Sequence, residues 1–157
     1  MSPGEPAPRA ELPAELYARL RHAVWEAGEV EACGLWWGRR RSWGWSLWGG
    51  LEAPNLAPEP RRRFLVDPVV QLKAERRARE LGALILGSWH SHPGGGVHPS
   101  ALDLAAARPG ELLGLLVPGG SGPVELHLWE VLEGGCRSVS WALQGDPTQA
   151  NSGLGSR

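Results

Sequence analysis

The sequence predicts an α+β fold, a mixed β-sheet flanked by helices in a single domain. Three observations carry that expectation. Apolar residues recur at helical spacing from Pro13 to Gly28 and a second helix opens at Asp67-Pro68, while short apolar or alternating runs outnumber the helices and read as strands. Tight glycine-bearing turns make some of those strands hairpin neighbours. The chain has 157 residues, the length of one ordinary domain that can bury a core without disulfide or metal staples.

The elements follow in order. Residues 1–11 are polar and proline-rich and read as a flexible lead. Pro13 to Gly28 reads as a helix, with Leu16, Leu20, Ala23, Val24 and Ala27 on one face, proline at the start and glycine at the stop. Cys33–Gly38 is a near-continuous apolar run, hence a buried strand. After a turn at Arg39–Arg41, Trp43–Trp48 alternates with strand period. Glu52–Arg63 is a loop and Phe64–Val66 a short strand. Asp67-Pro68 opens a helix that runs to about Leu81. Ala83–His90 is a buried strand and Pro93–Pro99 a loop. Ser100 is the N-cap of a short helix to about Ala107, with Asp103 placed as in a capping box. Leu112–Val117 is a buried strand. Val124–Leu132 and Cys136–Leu143 pair as a hairpin across Glu133-Gly134-Gly135. Residues 144–157 are small and polar and read as a disordered tail. The domain therefore spans residues 12–143.

Composition excludes some functions. The formal net charge is −1, without the basic excess of a nucleic-acid binder. Arg39–Arg41 and Arg61–Arg63 form two basic clusters, read as solvated turns or as a docking edge for an acidic partner. No apolar run of about 18 residues predicts a membrane span, and the polar N-terminus lacks the apolar heart of a signal peptide. A cytoplasmic location is the expectation. Cys33 and Cys136 form no CxxC pair, and sequence leaves open whether they are bridged. The tryptophan-rich strands, with Trp36, Trp37, Trp43, Trp45 and Trp48, read mostly as core, with some rings open to a partner or to homodimer formation.

Chemistry concentrates in HSHPGGGVHPSALD, from His90 to Asp103. Residues two apart on a strand share a face, so His90 and His92 aim at one point while Ser91 faces away. Pro93 breaks the strand, and Gly94–Gly96 turn the chain back to a helix that begins at Ser100 and carries Asp103 in its first turn. His90, His92 and Asp103 make a three-ligand set that leaves the fourth zinc position for water. Zinc lowers the pKa of bound water and polarises a carbonyl, but a carboxylate must still carry the proton. Glu26, Glu29 and Glu31 are the candidates, and spacing does not choose among them. Ser100 can cap its helix and also supply a hydroxyl to a developing oxyanion. His98 lies in the same loop and reads as solvent-facing, and His22 and His127 carry no assigned role. A zinc nucleobase deaminase would need His-x-Glu with PCxxC, which this chain lacks.

The run resembles the JAMM motif of the MPN-plus zinc metalloproteases: His-x-His-Pro, then Ser, then Asp three residues later. EACGLWWG, Glu31 to Gly38, looks like the family's upstream element. Asn55 and Phe64–Pro68 also sit where such proteins carry similar residues. The likeness covers roughly Leu16 to Leu143, and the short chain looks like the compact prokaryotic members. The resemblance implies a curved β-sheet of the cytidine-deaminase-like/MPN fold. It implies one Zn2+ per chain on His90, His92 and Asp103, Glu31 activating the zinc-bound water, and Ser100 supporting the tetrahedral intermediate. The implied substrate is a ubiquitin-like sulfur-carrier protein or its conjugates, cut at the amide after a C-terminal Gly-Gly. The alternatives are release of cysteine from a carrier adduct, small-molecule amide hydrolysis at the same site, and a non-catalytic MPN scaffold. The scaffold reading sits poorly with a complete set of site residues.

Overall fold

The computed structural model describes residue 4 and residues 6–119 and 122–145. Its elements are β1 (Arg9–Leu12), α1 (Ala14–Ala27), β2 (Cys33–Arg41), β3 (Gly44–Ala53), α2 (Pro68–Glu80), β4 (Leu84–Ser91), α3 (Ala101–Ala106), β5 (Leu112–Val117), β6 (Glu125–Leu132) and β7 (Gly135–Leu143). The seven strands close into a mixed barrel in the order β1-β3-β2-β4-β5-β6-β7. This corrects the sequence-based expectation of a curved sheet flanked by helices. The strand that closes the barrel is β1, whose first three residues lie in the stretch read as a flexible lead. It pairs in parallel with β3 on one side and β7 on the other, Ala10 opposite both Trp45 and Trp141. Four residues carry too little pattern to announce a strand, yet Ala10 and Leu12 are fully buried. The tail expected over 144–157 lies, from residue 146 on, outside the described residues; Gln144 still donates its amide to Leu12 O, 2.9 Å.

Closure depends on Gly44. Its φ is +144°, and a Cβ there would stand 1.8 Å from the carbonyl oxygen of Arg9. Gly44→Ala is therefore expected to lower unfolding stability by about 2–3 kcal/mol, read as a shifted denaturation midpoint. An unchanged midpoint would contradict this account of closure.

Alternation along β2 explains why its apolar run is unbroken. Trp36 joins the main core with Leu16, Leu20 and Val24 of α1, Trp45, Trp89, Leu112 and Leu128. Its neighbours Leu35 and Trp37 face the other way, onto Ala74 and Ala78 of α2. A strand covered on both faces needs apolar residues at every position. β5 repeats the logic: Leu112 and Leu116 face the main core, while Leu113 and Leu115 face Leu104 and Ala107 beside α3. Gly114 lets Trp36 lie across β5, since a Cβ there would stand 2.2 Å from the indole. The indole N–H then reaches Leu112 O, 3.0 Å.

Local signals place the helix ends. Asp67 Oδ1 accepts from Val69 N–H with Pro68 at the first helical turn, and Gly28 at φ +61° ends α1. Three expected boundaries move. Arg39–Arg41, read as a turn, is the end of β2 and pairs with β3, Arg41 opposite Gly44, so the turn falls at Ser42 and Trp43. The strand read at Trp43–Trp48 continues to Ala53. The strand read at Phe64–Val66 is a single bridge, Asn55 opposite Val66.

The basic clusters and cysteines resolve plainly. Arg40 pairs with buried Glu130 at 2.9 Å and stacks over Trp45, and Arg61 pairs with Glu29 at 3.0 Å. Trp36, Trp37 and Trp45 are core, and Trp43 is half-buried under the Arg9 guanidinium. Cys33 and Cys136 are both free thiols, and burial pushes Cys33 up to about 12. No helix among the described residues is long and apolar enough to cross a membrane.

Candidate metal centre

The end of β4 delivers His90, fully buried, and the residue past its end delivers His92. Their positions follow from pairing. β4 runs antiparallel to β2, with His90 opposite Cys33, so its C-terminal end lies beside the segment entering β2, where Glu31 sits. On the other side β4 runs parallel to β5, and His92 donates its amide to Leu116 O, 3.0 Å.

After His92 the chain turns sharply. Gly95 N–H reaches His92 O at 2.9 Å, with Pro93 second in the turn and Gly95 fourth at φ +94°. This places the carbonyl of Gly96 2.8 Å from His92 Nδ1. A carbonyl only accepts, so Nδ1 carries the proton and the Nε2 lone pair points into the site. His98 is exposed and leans on the Trp129 ring, 4.9 Å between centroids, while the Trp129 indole N–H holds Val97 O.

α3 begins with the predicted capping box. Ser100 Oγ accepts from Asp103 N–H at 3.0 Å, and Ser100 N–H donates to Asp103 Oδ2 at 2.8 Å. That reciprocal pair fixes the Asp103 carboxylate. Oγ acts in the cap as an acceptor, so the hydroxyl proton of Ser100 takes no part in it.

Three donor atoms converge. His90 Nε2 and His92 Nε2 are 3.0 Å apart, His92 Nε2 and Asp103 Oδ2 3.0 Å, His90 Nε2 and Asp103 Oδ2 3.1 Å. A tetrahedral shell with bonds of about 2.0–2.1 Å has edges of about 3.3 Å, so the triangle is close to the right size. The chemistry agrees. Two imidazole nitrogens and a carboxylate oxygen aimed at one another are a donor set that suits a divalent cation. These residues fit a zinc ion.

Glu31 stands one step further out. Its Oε1 is 4.0 Å from His90 Nε2, and its ligand atom lies within 4.8 Å of both histidines. Glu31, His90 and His92 together also form a cluster able to hold a metal ion. Glu31 is 4% exposed, and its Oε2 has no hydrogen-bond partner among the described residues. Glu29 is on the surface with Arg61, and Glu26 pairs with His22 on the exposed face of α1. Of the three candidate carboxylates, only Glu31 enters the site.

Electrostatics follow burial. Burial pushes the Glu31 carboxyl up from 4.5 to about 7; His92 opposes this shift and Asp103 adds to it. Burial lowers His90 despite its bond to Asp103. For His92 burial works against the charged form, but Asp103, the Gly96 carbonyl and Glu31 outweigh it and raise the pKa. For Asp103 burial is likewise outweighed, by hydrogen bonds from His90, His92 and Ser100, and its carboxyl is held well below the usual range.

Residue typing alone passed over two contributors. Ser91, read as a residue facing away, is buried, and its Oγ accepts from Ala32 N–H at 2.8 Å. Phe64 stacks on the His90 ring, 4.2 Å between centroids and 21° between planes. A serine in an otherwise apolar strand needs a hydrogen-bond partner, so Ser91 carried a legible signal, whereas Phe64 was marked by the family resemblance alone.

Known proteins share this framework. A protein of Desulfitobacterium hafniense, solved in solution, superposes with a TM-score of 0.73 at 26% identity, over 87% of this chain and 94% of that one. A protein of Salinibacter ruber superposes at 0.61 with 21% identity over the same shares, a likeness of fold alone. A Thermus thermophilus protein named "Probable TtuB-protein conjugate cleaving protease" is 33% identical over 97 residues, 62% of each chain. The chain thus spans less than two thirds of that relative. The sequence pattern of the Prok-JAB family, prokaryotic homologues of the JAB domain, matches residues 13–132. That match takes in Glu31, both histidines, Ser100 and Asp103, and the chain belongs to the Prok-JAB family.

Proposed function

We propose that the protein is a zinc-dependent peptidase or isopeptidase that hydrolyses the amide after the C-terminal Gly-Gly of a ubiquitin-like carrier protein. The observation that carries this reading is the pairing of the donor triangle of His90, His92 and Asp103 with the buried Glu31 carboxylate, whose Oε1 is 4.0 Å from His90 Nε2 and whose Oε2 has no hydrogen-bond partner among the described residues. Zinc, when bound, supplies a Lewis acid that makes a water acidic and polarises a carbonyl. Glu31 takes the proton from that water and returns it to the leaving amine. A carboxyl poised near neutrality can do both. The hydroxyl of Ser100 donates to the oxygen on which charge develops. Gly96 and the capping box hold His92 and Asp103 in the required orientation.

The substrate class rests on the name of the Thermus relative and on shape. A cleft of about 240 Å3 leads to Asp103 between Leu35, Phe64, Val66, Ile85 and Ala106. Ser88, Gln71 and Glu111 also line it, so an extended tail would meet polar as well as apolar walls there. Ser100→Ala is expected to cost about 1 kcal/mol of stability through the lost cap, and to slow turnover about 100-fold through the lost donor. Thermal unfolding and steady-state rates separate the two effects.

The test supplies the zinc-loaded protein with the host's small Gly-Gly carrier in three forms: a linear fusion, a lysine conjugate and a cysteine adduct. Mass spectrometry of the products is expected to show cleavage after the terminal glycine. Cleavage of the cysteine adduct alone would select cysteine release at the same site. Three intact substrates would contradict the reading.

A further inference from the structure

Glu31 belongs to no helix or strand. It lies between the end of α1 and the start of β2, so nothing in regular secondary structure fixes its backbone. Yet each backbone group around it is held by a contact from another part of the chain. Its N–H donates to Pro60 O at 2.6 Å. Its carbonyl accepts from Asn55 Nδ2 at 3.0 Å. The next amide, Ala32 N–H, donates to Ser91 Oγ at 2.8 Å, and Ser91 N–H donates back to Ala32 O at 2.9 Å.

Asn55 is the hub on one side. Besides Glu31 O, its Nδ2 donates to Arg63 O at 2.8 Å and to Pro60 O at 3.4 Å. Its Oδ1 accepts from the amides of Ala57 and Leu65, both at 3.0 Å. One side chain therefore gathers the 55–65 loop around itself and hangs Glu31 on it. The same loop carries Phe64, which stacks on His90. Ser91 is the arm on the other side. It stands between the two histidines in sequence, so its hydroxyl ties the strand that carries them to the backbone of Glu31. A leucine or alanine at either place could fill the space but not make these bonds.

We propose that Asn55 and Ser91 are positioning residues that clamp the backbone of Glu31 between the 55–65 loop and β4 and so hold its carboxylate beside His90, 4.0 Å from Nε2. This rests on the role proposed above for Glu31. A misplacement of about 1 Å can cost about 100-fold in rate, whereas neither residue touches the substrate. The clamp therefore acts on kcat and leaves KM and metal content alone.

Two variants test it. Asn55→Asp keeps the oxygen that accepts from Ala57 and Leu65 but loses the donor to Glu31. Ser91→Ala removes one hydroxyl and nothing else. The zinc-loaded proteins are assayed on the linear Gly-Gly carrier fusion, with zinc content measured on the same samples. Amide hydrogen exchange at residues 31 and 32 is followed by NMR in the metal-free proteins. The expected result is a kcat lower by about 100-fold in Asn55→Asp and about 10-fold in Ser91→Ala. KM should stay within about twofold and one zinc per chain should remain. The amides of Glu31 in the first variant and Ala32 in the second should exchange at least about tenfold faster, with β5 unchanged. Wild-type kcat with undisturbed exchange in either folded variant would overturn the clamp. Glu31→Gln, run alongside, keeps the two readings apart. If it turns over normally, the role of Glu31 fails; if it is inactive while both clamp variants are fully active, only the clamp fails.

Discussion

Glu31→Gln is expected to reduce turnover by about 10²–10⁴-fold, the usual contribution of a general base, while zinc stays bound. The same substitution should stabilise the metal-free protein at alkaline pH. The Glu31 carboxyl is raised from 4.5 to about 7 by burial, so between those values the folded state binds more protons than the unfolded one. Stability is then fully present below pH 4.5 and is lost as pH rises through 7. The loss amounts to about 3 kcal/mol at pH 8. Glutamine keeps the shape without the charge, so the advantage of the variant should appear across pH 5–7 and vanish below. Denaturation midpoints of the two proteins at pH 4 and pH 8 give the comparison. A residue that destabilises the fold it sits in is the pattern expected of a functional group. Equal midpoints at both pH values would remove that argument for Glu31.

Loss of the donor triangle should have the largest effect on metal. The His90→Ala, His92→Ala double variant is expected to fall from about one zinc per chain to none, and to lose more than about 10³-fold in turnover. Elemental analysis after zinc loading and gel filtration reads the first quantity directly. Asp103→Asn should also lose zinc, with a stability effect opposite to that of Glu31→Gln. The Asp103 carboxyl is held below its usual range by His90, His92 and Ser100. Its contribution is present above the unfolded-state pKa and is lost as pH falls through the lower, folded one. At neutral pH the metal-free Asp103→Asn protein should therefore unfold more easily than the parent. A double-histidine variant that retains one tightly bound zinc would place the metal elsewhere.

The site was more legible than the fold because its information is local. His90 and His92 share a face by strand period, and Ser100 and Asp103 share a helix turn by the capping-box spacing. Each pairing is settled within fourteen residues of sequence. The β5 run and the hairpin of β6 and β7 were likewise readable from pattern. Barrel closure is a long-range fact. It joins Arg9–Leu12 to Gly44 in one direction and to Ser140 in the other, and no periodicity within four residues can announce that. The 55–65 loop hid its order for a related reason. Its structure comes from one asparagine side chain bonded to backbone groups at residues 31, 57, 60, 63 and 65, not from a repeating ladder. Burial of Glu31, which sets its basicity, is also tertiary. Spacing offered three glutamates, and only packing leaves two of them on the surface.

The most direct measurement is the fate of a heavy oxygen atom. Zinc-loaded protein and the linear Gly-Gly carrier fusion are mixed in oxygen-labelled water, and the released carrier is weighed. Hydrolysis of the amide after the terminal glycine, with Glu31 activating water, predicts one labelled oxygen in the new C-terminal carboxylate, and release slowed by about 10²–10⁴-fold in the Glu31→Gln protein. An intact fusion, or cleavage at another bond, would contradict the account.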